Sequence, residues 1–96
     1  MNITIAAVGR MKSGPERVLW DEYKRRITWP LTLREVEDRK PQRKQQLMKR
    51  EAKLLTDAIP TGAFLIALDR SGISISSEAF ARHFQEWMSE NWRDVA

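Results

Sequence analysis

The 96-residue sequence predicts an α/β fold of βαβαβα order, with helices on both faces of a parallel sheet and three layers in all. Three observations carry that prediction. Short apolar runs at residues 2–8 and 63–68 have strand character, and between and after them lie stretches whose apolar residues recur every three or four positions. Proline, glycine and serine stand at the joints between these stretches. Strands that alternate with helices are joined by crossovers, and crossovers imply parallel pairing.

The first strand is Asn2-Ile3-Thr4-Ile5-Ala6-Ala7-Val8, alternating at first, then apolar, and rich in β-branched residues. Gly9-Arg10-Met11-Lys12-Ser13-Gly14 is a turn. Pro15 opens a helix, because the N–H it lacks would have no intrahelical partner at that position. The helix runs to about Arg26, with Val18, Leu19 and Tyr23 on its inward side. Trp29-Pro30 ends it, since a residue before proline avoids the helical region. Leu31-Thr32-Leu33-Arg34-Glu35-Val36-Glu37 alternates loosely and reads as a strand with one wet side, near a sheet edge.

Asp38-Arg39-Lys40-Pro41 is a charged connection. The longest helix follows, from residue 42 to about residue 59, with Leu47, Glu51, Leu54, Leu55 and Ala58 along one face. Its other faces carry Arg43, Lys44, Lys49, Arg50 and Lys53. Pro60-Thr61-Gly62 breaks the chain before Ala63-Phe64-Leu65-Ile66-Ala67-Leu68. Six consecutive apolar residues predict a central strand covered on both faces. Ser76-Ser77-Glu78 starts a third helix through a hydroxyl cap and an acidic first turn. Its stripe is Phe80, Phe84, Trp87 and Met88. Asp94-Val95-Ala96 reads as the start of a further strand.

Ninety-six residues suit one domain, here 1–96. The absence of cysteine excludes disulfides and thiolate metal sites and fits a reducing cytosol, so the expected location is cytoplasmic. No apolar run is long enough for a membrane span or a signal-peptide core. Charge is uneven: residues 1–53 hold 14 Lys/Arg against 7 Asp/Glu, whereas residues 54–96 hold 3 against 6. Such asymmetry draws a polyanion to one side, though charged helix faces also serve only as solvated surface. The best nucleic-acid candidate is the basic helix bearing Arg43, Lys44, Lys49 and Arg50, which suits phosphates without reading sequence.

Other chemistries find little support. Lys12-Ser13 lacks the glycine frame of a phosphate loop, and the dinucleotide glycine fingerprint is missing, which weighs against a flavodoxin-like ligand domain. His83 has no partner at metal-ligand spacing, so no metal is expected, and no catalytic set of residues emerges. Asp69, at the end of the 63–68 run, is either a functional residue or a turn former. The four tryptophans fit core and boundary positions better than base stacking, because they share no strand.

Several segments together resemble a known family. Ile3-Thr4-Ile5-Ala6-Ala7-Val8-Gly9-Arg10-Met11-Lys12 and Glu22-Tyr23-Lys24-Arg25-Arg26 are similar to the opening of the ribosomal RNA large subunit methyltransferase H family, which is of the SPOUT class. Lys49-Arg50-Glu51-Ala52-Lys53-Leu54-Leu55 resembles its second helix. Leu68-Asp69-Arg70-Ser71-Gly72 and Ser76-Ser77-Glu78-Ala79-Phe80-Ala81 resemble its third-strand exit and following helix, in the same order.

The resemblance implies a SPOUT, Rossmann-like fold and an S-adenosylmethionine-dependent enzyme that methylates N3 of a pseudouridine in large-subunit rRNA, on the ribosome and as a homodimer. It implies a cofactor pocket in a C-terminal trefoil knot, whose signatures are not found in these residues. Leu68 aligns with the family's adenosine-lining leucine and is the one expected cofactor contact; no catalytic residue is expected in this chain. The 96 residues alone are expected neither to bind the cofactor well nor to transfer methyl groups. The competing reading is a non-enzymatic α/β module that binds RNA or protein.

Overall fold

The computed structural model describes residues 1–40 and 42–96; Pro41, the end of the charged connection, lies outside the described residues. The elements are β1 (Asn2–Val8), α1 (Pro15–Arg26), β2 (Leu31–Val36), α2 (Lys44–Asp57), α3 (Ser77–Ser89) and β3 (Asp94–Val95). The strands form one parallel sheet in the order β2-β1-β3, so β2 is an edge strand, as its wet alternation predicts.

The run at 63–68 does not take the central place predicted for it. β1 pairs instead with β3, Asn2 with Asp94 and Ile3 with Val95. The apolar run is displaced outward and meets the sheet only through a parallel bridge from Phe64 to Val95. Its ladder is short: Phe64 N donates to Asp94 O at 2.8 Å, Ala96 N to Phe64 O at 2.9 Å and Ile66 N to Ala96 O at 2.7 Å. The reason is physical. Apolar length shows that a strand can be buried, whereas its place in the sheet depends on which segment wins the pairing with β1. Val95, in a mostly polar tail, is 2% exposed, while Leu68 is 86% exposed.

Residues two apart in a strand share a face, so the register defines both sides of the sheet. Ile3 and Ile5 lie beside Leu31 and Leu33, and Ile3 continues through Val95 to Phe64. α3 packs on the outer end of that face, at Phe64, while Ile5 stays exposed. The Phe64 ring lies 4.7 Å from Trp87 and 5.1 Å from Trp92, and Phe80 and Phe84 extend the cluster. Trp29, just before β2, stacks on Phe84 at 6.0 Å. Each such aromatic pair adds about 1 kcal/mol beyond the area it buries. The opposite face carries Thr4, Ala6, Thr32 and Arg34, and α2 lies over β1 and β2 with Leu47, Leu54 and Leu55 half-buried. Helices therefore occupy both faces, as right-handed crossovers require.

α1 departs from expectation. Val18, Leu19 and Tyr23 are exposed, and Trp20 is the half-covered apolar residue of that helix. A three- and four-residue period shows that a helix has an apolar side, not that another element lies against it.

The turn into β3 is closed by a Schellman motif. Asn91 takes φ 66°, its N–H donates to Met88 O at 3.0 Å, and Trp92 N donates to Trp87 O at 3.1 Å. Trp87 and Trp92 both pack on the Phe64 ring, which aims the chain at its place beside β1. At the start of α3, the Ser76 hydroxyl accepts from Ala79 N at 3.1 Å, the cap that the sequence predicts.

Candidate nucleic-acid interface at the carboxyl rim

All strands of a parallel sheet end on the same side, so the segments following β1, β2 and the outer run gather at one rim. The first two are tied together there. Gly9 N donates to Val36 O at 2.8 Å, and Met11 N donates to the Glu35 carboxylate. Glu37 faces two cations at once, Arg10 at 3.9 Å and Arg39 at 3.4 Å.

Asp38 is the hub of the connection between β2 and α2. Its side chain is only 8% exposed and accepts from Lys40 N at 3.0 Å, Gln42 Nε2 at 2.9 Å and Arg50 Nε at 2.6 Å. The Lys40 amide is the largest influence holding this carboxyl below the ordinary aspartate value; Gln42 and Arg50 add to it, and burial opposes it. The ring of bonds fixes how the chain enters α2.

The four cations predicted as a nucleic-acid patch fall into different settings. Arg43 is the N-cap residue and Lys44 opens α2, with no side-chain cap and no acidic residue in the first turn. Lys49 lies five positions after Lys44, hence on a different side of the helix. Arg50 is bonded to Asp38, and Lys53 pairs with Asp57 at 3.0 Å. Among the described residues Arg43, Lys44 and Lys49 enter no ion pair, nor do Lys12 and Lys40.

Sequence reasoning missed Lys12, Lys40 and the role of Asp38. The first two carry a legible signal: both follow the end of a strand in a sheet expected to be parallel. Asp38 carries none, because its bond to Arg50 spans twelve positions and depends on where α2 settles.

Leu68 stands at the same rim. Next to it, Asp69 accepts from the Ser71 N–H at 3.2 Å and from the Ser71 hydroxyl, while Gly72 N donates to Asp69 O at 3.0 Å. The Ser71 hydroxyl leads the bonds that hold the Asp69 carboxyl below its usual value. Of the two roles open to Asp69, turn formation accounts for its contacts. Two open grooves, of about 640 and 470 Å³, lie at the amino ends of the strands. They are lined by Asn2, Trp92 and Arg93 in one case, and by Thr4, Thr32 and Arg34 in the other, so neither coincides with Leu68.

His83 is partly exposed, 3.4 Å from Glu86 and stacked on Trp87. Among the described residues no group of His, Cys, Asp and Glu is arranged to hold a metal ion, and no helix is long and apolar enough to cross a membrane.

Crossover helices on both faces of an open parallel sheet, with connections gathered at one rim, define a Rossmann-like α/β fold. Within that class the chain belongs to the SPOUT methyltransferases: the family described as "Predicted SPOUT methyltransferase" matches residues 1–96. It is 48% identical over 96 residues to the ribosomal RNA large subunit methyltransferase H of Rhodospirillum centenum, covering all of this chain and 63% of that protein. The protein of the same name from Paramagnetospirillum magneticum is 44% identical over 96 residues, with the same coverage. That of Rhodospirillum rubrum is 43% identical over 86 residues, covering 90% of this chain and 57% of its own length. The chain thus spans about 63% of the length of the first two relatives.

Proposed function

We propose that this chain serves an S-adenosylmethionine-dependent methyltransferase that modifies large-subunit rRNA, at N3 of a pseudouridine, as a cytoplasmic homodimer working on the ribosome. The observation that carries the proposal is the match over every residue, at 48% identity, to a relative named for that rRNA. In this reading Leu68 is a wall of the adenosine pocket. The residues present fit that role in part, because an apolar side chain stands exposed at the carboxyl rim, where ligands of such sheets bind. The bound cofactor supplies the methyl group. On α2 the RNA side is the basic start of the helix, Arg43 and Lys44, whereas Lys49 lies on another side of it and Arg50 is bonded to Asp38.

The 96 residues alone are proposed not to hold the cofactor, since one exposed leucine makes no enclosed site. Titration calorimetry with S-adenosylmethionine tests this, and micromolar binding by the chain would overturn it. The activity itself is tested by replacing the matching residues of the Rhodospirillum centenum relative with residues 1–96 and following methyl transfer to bacterial ribosomes. Transfer near the parent's rate is expected. A folded chimera that binds cofactor and ribosomes without transferring methyl groups would favour the non-enzymatic binding module instead.

A further inference from the structure

We infer that RNA backbone is held along the carboxyl rim by Lys12, Lys40, Arg43 and Lys44, and that Arg50 positions this track through Asp38 without touching phosphate. The inference rests on the RNA reading above and narrows it to particular residues.

The charge pattern of the rim supports it. The acids at the end of β2 and in the β2–α2 connection already have partners: Glu35 accepts from Met11 N, Glu37 faces Arg10 and Arg39, and Asp38 accepts from Lys40 N, Gln42 and Arg50. Glu16, in the first turn of α1, is the one acid before α2 with neither an ion pair nor a side-chain hydrogen bond among the described residues. Lys12, Lys40, Arg43 and Lys44, in the loops and helix start at the rim, are exposed and have no acidic partner among the described residues; Lys24 on α1 and Arg34 on β2 are likewise unpaired but lie outside these segments. The contacts of Glu37 with both Arg10 and Arg39 show that the two loops bearing these cations adjoin. Positive charges spread over two adjoining loops and a helix start suit a row of phosphates better than a single anion.

Arg50 differs in kind. Its Nε lies 2.6 Å from a carboxylate that is itself almost covered, so its charge is neutralised locally. Its bond runs back across the β2–α2 connection and braces the segment that carries Lys40, Arg43 and Lys44. Lys49 lies on another side of α2 from Lys44, five positions further along the helix.

Binding of the chain to purified large-subunit rRNA, measured from about 50 to 200 mM salt, separates these roles, because each phosphate contact contributes about one to the slope of log K against log salt. Lys12→Gln, Lys40→Gln and Lys44→Gln are each expected to reduce the slope by about one. Lys49→Gln is expected to leave both slope and affinity unchanged. Arg50→Gln is expected to weaken binding at every salt concentration with the wild-type slope, and Arg50→Lys, which can still reach Asp38, to restore it. Thermal melting by circular dichroism checks that each variant is folded.

If folded Arg50→Gln loses as much slope as Lys44→Gln, or if Lys49→Gln loses slope while Lys12→Gln and Lys40→Gln do not, the inference is overturned and RNA binding stands. If the wild-type chain shows no salt-dependent binding to the rRNA, the RNA reading of this surface fails, and the inference fails with it.

Discussion

β1 and the run at 63–68 are similarly apolar, and both are flanked by turns, yet they end up in opposite situations. β1 is paired along both edges, to β2 over six residues and to β3 at Asn2 and Ile3. The outer run is held by the few bonds at Phe64 and Ile66, and its Leu65 and Leu68 face solvent. Between them sits Val95, a single valine between Asp94 and Ala96 and the one fully buried hydrophobic side chain among the described residues. Burial in this sheet follows from being flanked on both sides rather than from local apolarity.

Paired substitutions are the strongest way to break that comparison. Val95→Asp would bury a carboxylate without a partner and is expected to cost about 3 kcal/mol or more, enough to unfold a domain of marginal stability. Leu68→Asp, at a far more apolar stretch of sequence, is expected to change stability by about 0.5 kcal/mol or less. Denaturant midpoints decide it, and equal losses would refute the placement of the two segments.

A smaller effect tests how the chain is steered to the centre. Among the described residues Asn91 is the one non-glycine residue with positive φ, so Asn91→Ala is expected to cost about 1 kcal/mol, whereas Asn91→Gly keeps or raises the midpoint.

The smallest effect sharpens the contrast from the other end of the molecule. Asp38 has a folded-state value lowered from 3.8, so its stabilising contribution is present above that value and is lost as pH falls through the lower, folded one. Melting temperature should decline below about pH 4, and Asp38→Asn should make that decline shallower. An identical acid profile in the variant would show that the carboxylate does not brace the entry to α2.

The legible parts of the fold were those written in local chemistry. Pro15 and Trp29-Pro30 bracket α1, and Ser76 caps α3, because these residues act on their own neighbours. The position of Val95, the exposure of Val18 and Leu19, and the Asp38–Arg50 bond were not legible. Each depends on a partner far along the chain, or on whether any partner covers the face at all. The candidate site divides in the same way: sequence finds cations readily, while only geometry tells which of them an acid already neutralises.

The sheet order also sets a sequence in time. Of these three strands β1 is made first, and its inner edge near Asn2 pairs with a residue 92 positions later. Until residues 94–96 arrive, β1–β2 and the outer run are two separate pieces with a gap one strand wide between them, and α3 has only half of its sheet to rest on. Closing so long a loop is slow, and it leaves strand edges open in the meantime. Folding here is the driving of a wedge: one short segment, centred on Val95, converts two loose pieces into a sheet.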